Sequence, residues 1–130
     1  MYGVHMTDWP GPITAITLFV DDLAASREFY ARAFELPVFW EDDNSVVFQF
    51  GNTLINLLAV REAIELIAPA QVGAEGARMQ FTLTVDDVDA SCAELVARGV
   101  PLLNGPMDRP WGIRTAAFAD PSGHIWEIAS

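Results

Sequence analysis

Ile16-Thr17-Leu18-Phe19-Val20-Asp21-Asp22-Leu23-Ala24-Ala25-Ser26 returns as Phe81-Thr82-Leu83-Thr84-Val85-Asp86-Asp87-Val88-Asp89-Ala90-Ser91. Seven of the eleven positions are identical, and the offset of 65 is half of the 130-residue chain. A repeat on this scale is two copies of one supersecondary unit, neither able to bury its apolar face alone. It places any binding site on or near the pseudo-twofold between the copies, and it lets equivalent positions of the two halves be compared.

Working outward, each copy opens with a strand (Thr14–Val20; Gln80–Val85) that runs into an aspartate cap and a helix. Leu23, Ser26, Tyr30, Ala33 and Phe34 mark one face of the first helix, which Leu36-Pro37 stops. Val88–Arg98 forms the second helix, which Gly99 ends. Cys92 falls on its apolar stripe with Val88, Leu95 and Val96, which predicts a buried, inert thiol. Val38–Trp40, Ser45–Phe50 and Thr53–Leu58 follow as strands in the first copy, with Gly51-Asn52 as a hairpin turn. Pro101–Asn104, Ile113–Ala119 and His124–Ala129 follow in the second, with Asp120-Pro121-Ser122-Gly123 as the last turn. The class is therefore α+β, a single domain over 1–130 built of two β-α-β-β-β modules. Module one spans about 13–58, a linker about 59–78, and module two about 79–130. Arg61–Ile67 can form a short helix in the linker, ahead of Pro69, Gly73 and Gly76.

Composition narrows the function. The chain has seven arginines, no lysine and a net charge of −11. Lysine Schiff-base chemistry and lysine-dependent phosphate loops are excluded. Nucleic acid and anionic membranes are unfavourable partners, whereas a cationic ligand is favoured electrostatically. One cysteine leaves no intramolecular disulfide, and neither a signal peptide pattern nor a long apolar run occurs. A cytoplasmic protein is expected.

Strand period assigns the faces. Ile16, Leu18, Val20 and Phe81, Leu83, Val85 form an apolar row expected under the helices. The opposite rows, Ala15, Thr17, Phe19 and Gln80, Thr82, Thr84, are more polar and suit a cavity. A four-residue loop at Asp120–Gly123 would set Ala119 against His124 and Ala116 against Glu127. Arg114, Ala116, Phe118, Ile125 and Glu127 would then share one face, with Arg114 in reach of an ion pair with Glu127. The Gly51-Asn52 hairpin puts Val47 against Asn56, with Gln49 and Leu54 beside them. Matching the final strands makes Asn56 the counterpart of Glu127.

These residues carry a resemblance. Val20-Asp21-Asp22-Leu23 with Ser26 and Phe29-Tyr30, Val85-Asp86-Asp87-Val88, Pro110-Trp111-Gly112 with Arg114, and Phe118-Ala119-Asp120-Pro121-Ser122-Gly123-His124 with Glu127 resemble the vicinal oxygen chelate, or glyoxalase/bleomycin resistance/dioxygenase, superfamily. The resemblance implies curved sheets forming an eight-stranded open barrel around a cavity, usually in a homodimer. It also implies metal ligands at Ala15, Asn56, Gln80 and Glu127. Alanine cannot coordinate and amides are poor ligands for a divalent ion. Gln80 and Glu127 are thus the only weak metal candidates, and no cofactor is expected. His5 is read as part of a loose tail and His124 as a surface histidine at a strand end.

Drug-binding members of that superfamily stack flat ligands on indoles of the Pro-Trp-Gly region. Trp40 and Trp111 stand in corresponding places of the two halves and suit such stacking, or a cation over the ring face. Trp126 is expected in the core, and Trp9 in tail packing. The expected function is metal-independent binding, of a sequestration or resistance type, of a small aromatic or cationic molecule. Its ligand-binding residues are Trp40, Gln49, Asn56, Gln80, Trp111, Arg114, Phe118 and Glu127, joined by Thr17, Phe19 and Thr82 in the cavity wall. Glu127 is the best catalytic candidate if chemistry occurs, and the alternative reading is a metal-dependent lyase or dioxygenase.

Overall fold

The computed structural model of the chain describes residues 11–73, 77 and 79–130. The readings of His5, Trp9 and Gly76 lie outside these residues. In chain order the elements are β1 (Ala15–Val20), α1 (Leu23–Phe34), β2 (Trp40–Glu41), β3 (Ser45–Phe50), β4 (Thr53–Ala59), α2 (Val60–Ile67), β5 (Gln80–Thr84), α3 (Val88–Ala97), β6 (Asn104–Asp108), β7 (Arg114–Ala119) and β8 (Ile125–Ala129). They form two β-α-β-β-β modules joined through α2, an α+β fold. Each module holds a four-stranded sheet, ordered β1-β4-β3-β2 and β5-β8-β7-β6, and the sheets do not close into a barrel. In both, the first strand lies parallel to the last.

The repeated aspartates explain the helix starts. The second aspartate of each pair caps its helix, Asp22 accepting from Ala25 N at 3.0 Å and Asp87 from Ala90 N at 3.1 Å. Each cap satisfies an otherwise orphan amide and starts the chain back across its sheet. The alternation assigned to β1 and β5 holds: Leu18 and Val20 are buried, and Phe81, Leu83 and Val85 pack against the same core. Cys92 is buried in that core, and burial pushes its thiol up.

Both modules contribute their helix-side faces to this one core. Tyr30 and Phe34 of α1 meet Trp126 of β8, Phe50 of β3 stacks on Trp126 with centroids 5.2 Å apart, and Phe29 approaches Phe118. The polar faces of the two sheets therefore lie on the outside of the shared core. A buried polar chain crosses the junction. Tyr30 Oη donates to Asp120 Oδ2 at 2.6 Å, and Trp126 Nε1 donates to Tyr30 Oη at 3.0 Å. His124 Nδ1 lies 2.8 Å from the same Asp120 oxygen, so His124 is part of this network rather than a surface side chain. Burial pushes the Asp120 carboxyl up, but the hydrogen bonds from His124 and Tyr30 outweigh it and hold the carboxyl below the usual range. Tyr30 is pushed up, first by burial and then by the Asp120 charge.

Two larger features depart from the expected path, beside the shift of the second strand from Val38–Trp40 to Trp40–Glu41. The strand expected at Pro101–Asn104 lies instead at Asn104–Asp108, an edge strand with a register shift between Asn104 and Met107. Proline is tolerated at such an edge. At Gly105, φ is +82°, and any side chain would collide with the Thr115 carbonyl. The second departure is the β7–β8 hairpin. Asp120 N donates to His124 O, and Asp120 Oδ1 accepts from the amides of Ser122 and His124. Asp120 thus pairs with His124 across the three residues Pro121–Gly123, with Gly123 at φ +90°. This is the three-residue hairpin loop with a left-handed glycine. It sets Ala119 against Ile125 and Ala117 against Glu127, one residue away from the expected register. A one-residue slip exchanges the two faces of a strand. Arg114, Ala116 and Phe118 therefore sit on the helix side.

Replacing Tyr30 by phenylalanine removes the partner of the buried Trp126 Nε1 and one of the partners of Asp120. Tyr30→Phe is expected to lower unfolding free energy by about 1–3 kcal/mol, measured by urea denaturation. An unchanged denaturation midpoint would show that the polar chain does not hold the modules together.

Candidate functional site

Across the polar face of the first sheet, the strand pairings align Thr17, Asn56, Val47 and Trp40 in one transverse row. The second sheet repeats it as Thr82, Glu127, Ala117 and Asn104. Asn56 and Glu127 are thus equivalent, as the matching of final strands predicts. Each is bonded to the threonine of its neighbouring first strand. Thr82 Oγ1 donates to Glu127 Oε1 at 2.9 Å, and Asn56 Nδ2 donates to Thr17 Oγ1 at 3.4 Å. Gln49 occupies the next row of the first sheet, opposite Leu54, and Gln80 stands opposite Ile125 in the second. Gln49 and Gln80 are both exposed, and Phe19 shares the polar face with Thr17.

The two indoles do not stand in corresponding places as expected: the counterpart of Trp40 is Asn104, and Trp111 lies in the turn beyond β6. Trp40 is on the edge strand β2 and 53% exposed, within the same row as Asn56. Arg27 of α1 ties the next residue, Glu41, to the helix by a two-pronged ion pair. Trp111 is 68% exposed in the tight turn between β6 and β7, where Arg109 N donates to Ile113 O and Gly112 N to Arg109 O. The Arg109 side chain folds back over this turn. Its Nε donates to Thr115 Oγ1 at 2.8 Å, and its Cζ lies 5.8 Å from the Trp111 ring centroid. Thr115 shares the face of Ala117 and Glu127 by strand alternation, so Arg109 and Trp111 border the polar face of module two. Arg109 is not among the residues expected at the site. The available signal was an arginine placed two residues before an exposed indole in a turn.

Two expected site residues leave this face. Phe118 is buried among Phe29, Phe34 and the helix-side core. Arg114 does not pair with Glu127. Its guanidinium binds Asp89 of α3 through two nitrogens and Asp108 through a third contact. Donating to Asp89 and then to Asp108 pushes the Arg114 guanidinium further up and lowers the Asp89 carboxyl. The cause in both cases is the hairpin register set by Asp120.

The four positions at which the resemblance implies a metal are Ala15, Asn56, Gln80 and Glu127. They supply one carboxylate, two amides and a methyl group, and the carboxylate already accepts a hydroxyl. Among the described residues, no three His, Cys, Asp or Glu side chains are grouped to hold an ion. This donor set does not fit a divalent metal.

Comparison with known proteins agrees with this architecture. A family model described as Glyoxalase/Bleomycin resistance protein/Dioxygenase superfamily matches residues 12–128. The protein YraH of Bacillus subtilis is 35% identical over 119 residues, covering 87% of this chain and 93% of its own. A glyoxalase/bleomycin resistance protein/dioxygenase from Nocardioides superposes with a TM-score of 0.80 at 22% identity, covering 92% of this chain and 82% of that one. A lactoylglutathione lyase from Agrobacterium tumefaciens superposes with a TM-score of 0.74 at 25% identity, covering 92% and 93%. The chain belongs to the glyoxalase/bleomycin resistance protein/dioxygenase superfamily.

Proposed function

We propose that this chain is a single functional domain that binds a small aromatic or cationic molecule on its polar sheet faces, without a metal. The observation that carries the reading is the pairing of exposed indoles with a failed ligand set. Trp40 and Trp111 offer open aromatic surface bordering the two faces, while the positions a metal would need supply one carboxylate. Indole stacks flat rings and attracts cations over its face. Glu127 contributes its second carboxylate oxygen as an acceptor for a ligand donor, a role in orientation and not in proton transfer. Gln49, Asn56 and Gln80 supply the remaining polar wall.

The same reading includes a homodimer. Both polar faces lie outside the shared core, so one chain alone leaves each open to solvent. A partner chain that sets its module two over module one would enclose a ligand between them and shelter edge strands. No helix among the described residues is long and apolar enough to cross a membrane, and the negative charge disfavours nucleic acid.

Three outcomes follow. Light scattering at micromolar concentration should give twice the 14.2 kDa chain mass, and a monomer mass would remove the enclosed cavity. Titration with Ni, Zn, Mn or Fe should show no binding tighter than about micromolar (about −8 kcal/mol). A tighter site abolished by Glu127→Ala would replace this reading with the lyase or dioxygenase one. For a compound found by thermal-shift screening, Trp111→Ala should weaken binding by about 1–3 kcal/mol. Because Trp111 is so exposed, the melting temperature of the free protein should change little, and an unfolded variant would assign the ring to packing.

A further inference from the structure

Of the six described arginines, five donate to an acceptor through at least one terminal nitrogen. Arg27, Arg32, Arg98 and Arg114 hold carboxylates, and Arg61 donates to the Asn44 side-chain oxygen and the Asp43 carbonyl. Arg109 differs. Its one hydrogen bond among the described residues runs from Nε to Thr115 Oγ1, leaving both terminal nitrogens without a carboxylate. Thr115 is 1% exposed and fixed within β7, so the guanidinium is anchored on a rigid strand and braced by the Trp111 ring. In a chain of net charge −11, an immobilised cation that no described carboxylate neutralises is open to an anion from outside.

From this we infer that Arg109 is a ligand-binding residue, and that the molecule bound here is an aromatic compound bearing an anionic group, a carboxylate or a phosphate. A guanidinium presents parallel N–H donors in a planar fork that matches two oxygens of either group. With Nε held by Thr115, the terminal nitrogens are the pair left to do so. Trp111, next to the fork, takes the ring of the same ligand, and Glu127 on the same sheet face keeps an oxygen for a donor substituent. The inference rests on the aromatic branch of the proposed function and selects it over a purely cationic ligand.

The test titrates the full chain with 1-naphthoate, 1-naphthyl phosphate and 1-naphthylmethanol at constant ionic strength, following the Arg109 Nε–H resonance and the indole resonances by NMR. At least one of the two anions should bind about tenfold tighter than the alcohol, and the tighter one names the group. Arg109→Gln should abolish that preference, so that the anions and the alcohol bind alike. Arg109→Lys, which keeps the charge without the fork, should retain part of it. Trp111→Ala should weaken all three. Equal binding of anions and alcohol, or a preference that survives Arg109→Gln, overturns the role of Arg109 and leaves the aromatic reading standing. If no naphthyl compound binds but acetate or inorganic phosphate shifts the Arg109 resonance, the anion site holds and the aromatic reading fails. If nothing shifts that resonance, because a neighbour in the assembled protein neutralises Arg109, the inference falls.

Discussion

The Asp120 carboxylate, buried at the junction of the two modules, organises both the fold and the site. One of its oxygens accepts the Ser122 and His124 amides and shapes the β7–β8 hairpin. The other accepts the Tyr30 hydroxyl from module one and faces His124 Nδ1. A buried carboxylate is costly unless its lone pairs are met. Meeting them here ties the turn of one module to the helix of the other. The Ser122 hydroxyl adds to the tie by accepting from Asp21 N, at the start of that helix.

The same turn decides what the second sheet shows to solvent. Because Asp120 pairs with His124, Phe118 joins the core and Arg114 turns toward Asp89 and Asp108. Thr115 falls on the opposite face, buried, and gives Arg109 its anchor. One local arrangement thus removes one arginine from the polar face and supplies another at its border. The charge of the face changes in place more than in amount.

Module one carries the neutral version of the same layout. Asn56 replaces the carboxylate of Glu127, its amide bonded to Thr17 as the carboxylate is bonded to Thr82. The pseudo-twofold therefore relates two faces of like geometry and unlike chemistry, one bordered by Trp40 and the other by Trp111 and Arg109.

The duplicated segment, the strand alternation and the Gly51-Asn52 hairpin were legible in the chain because each rests on local rules: period, capping and turn chemistry. They placed the modules, the apolar rows and the equivalence of Asn56 with Glu127. The β6 strand was not legible, since Gly105 and Pro106 break local propensity and only the approach of β7 makes an edge strand there. The faces of Arg114 and Phe118 were decided by tertiary structure. Asp120-Pro121-Ser122-Gly123 is compatible with a loop one residue longer or shorter. The choice is made by the Asp120 carboxylate, which accepts the Ser122 and His124 amides within the turn and the Tyr30 hydroxyl from 90 residues away in sequence. Periodicity carries no information about register, and register depends on contacts that exist only once the two modules have met.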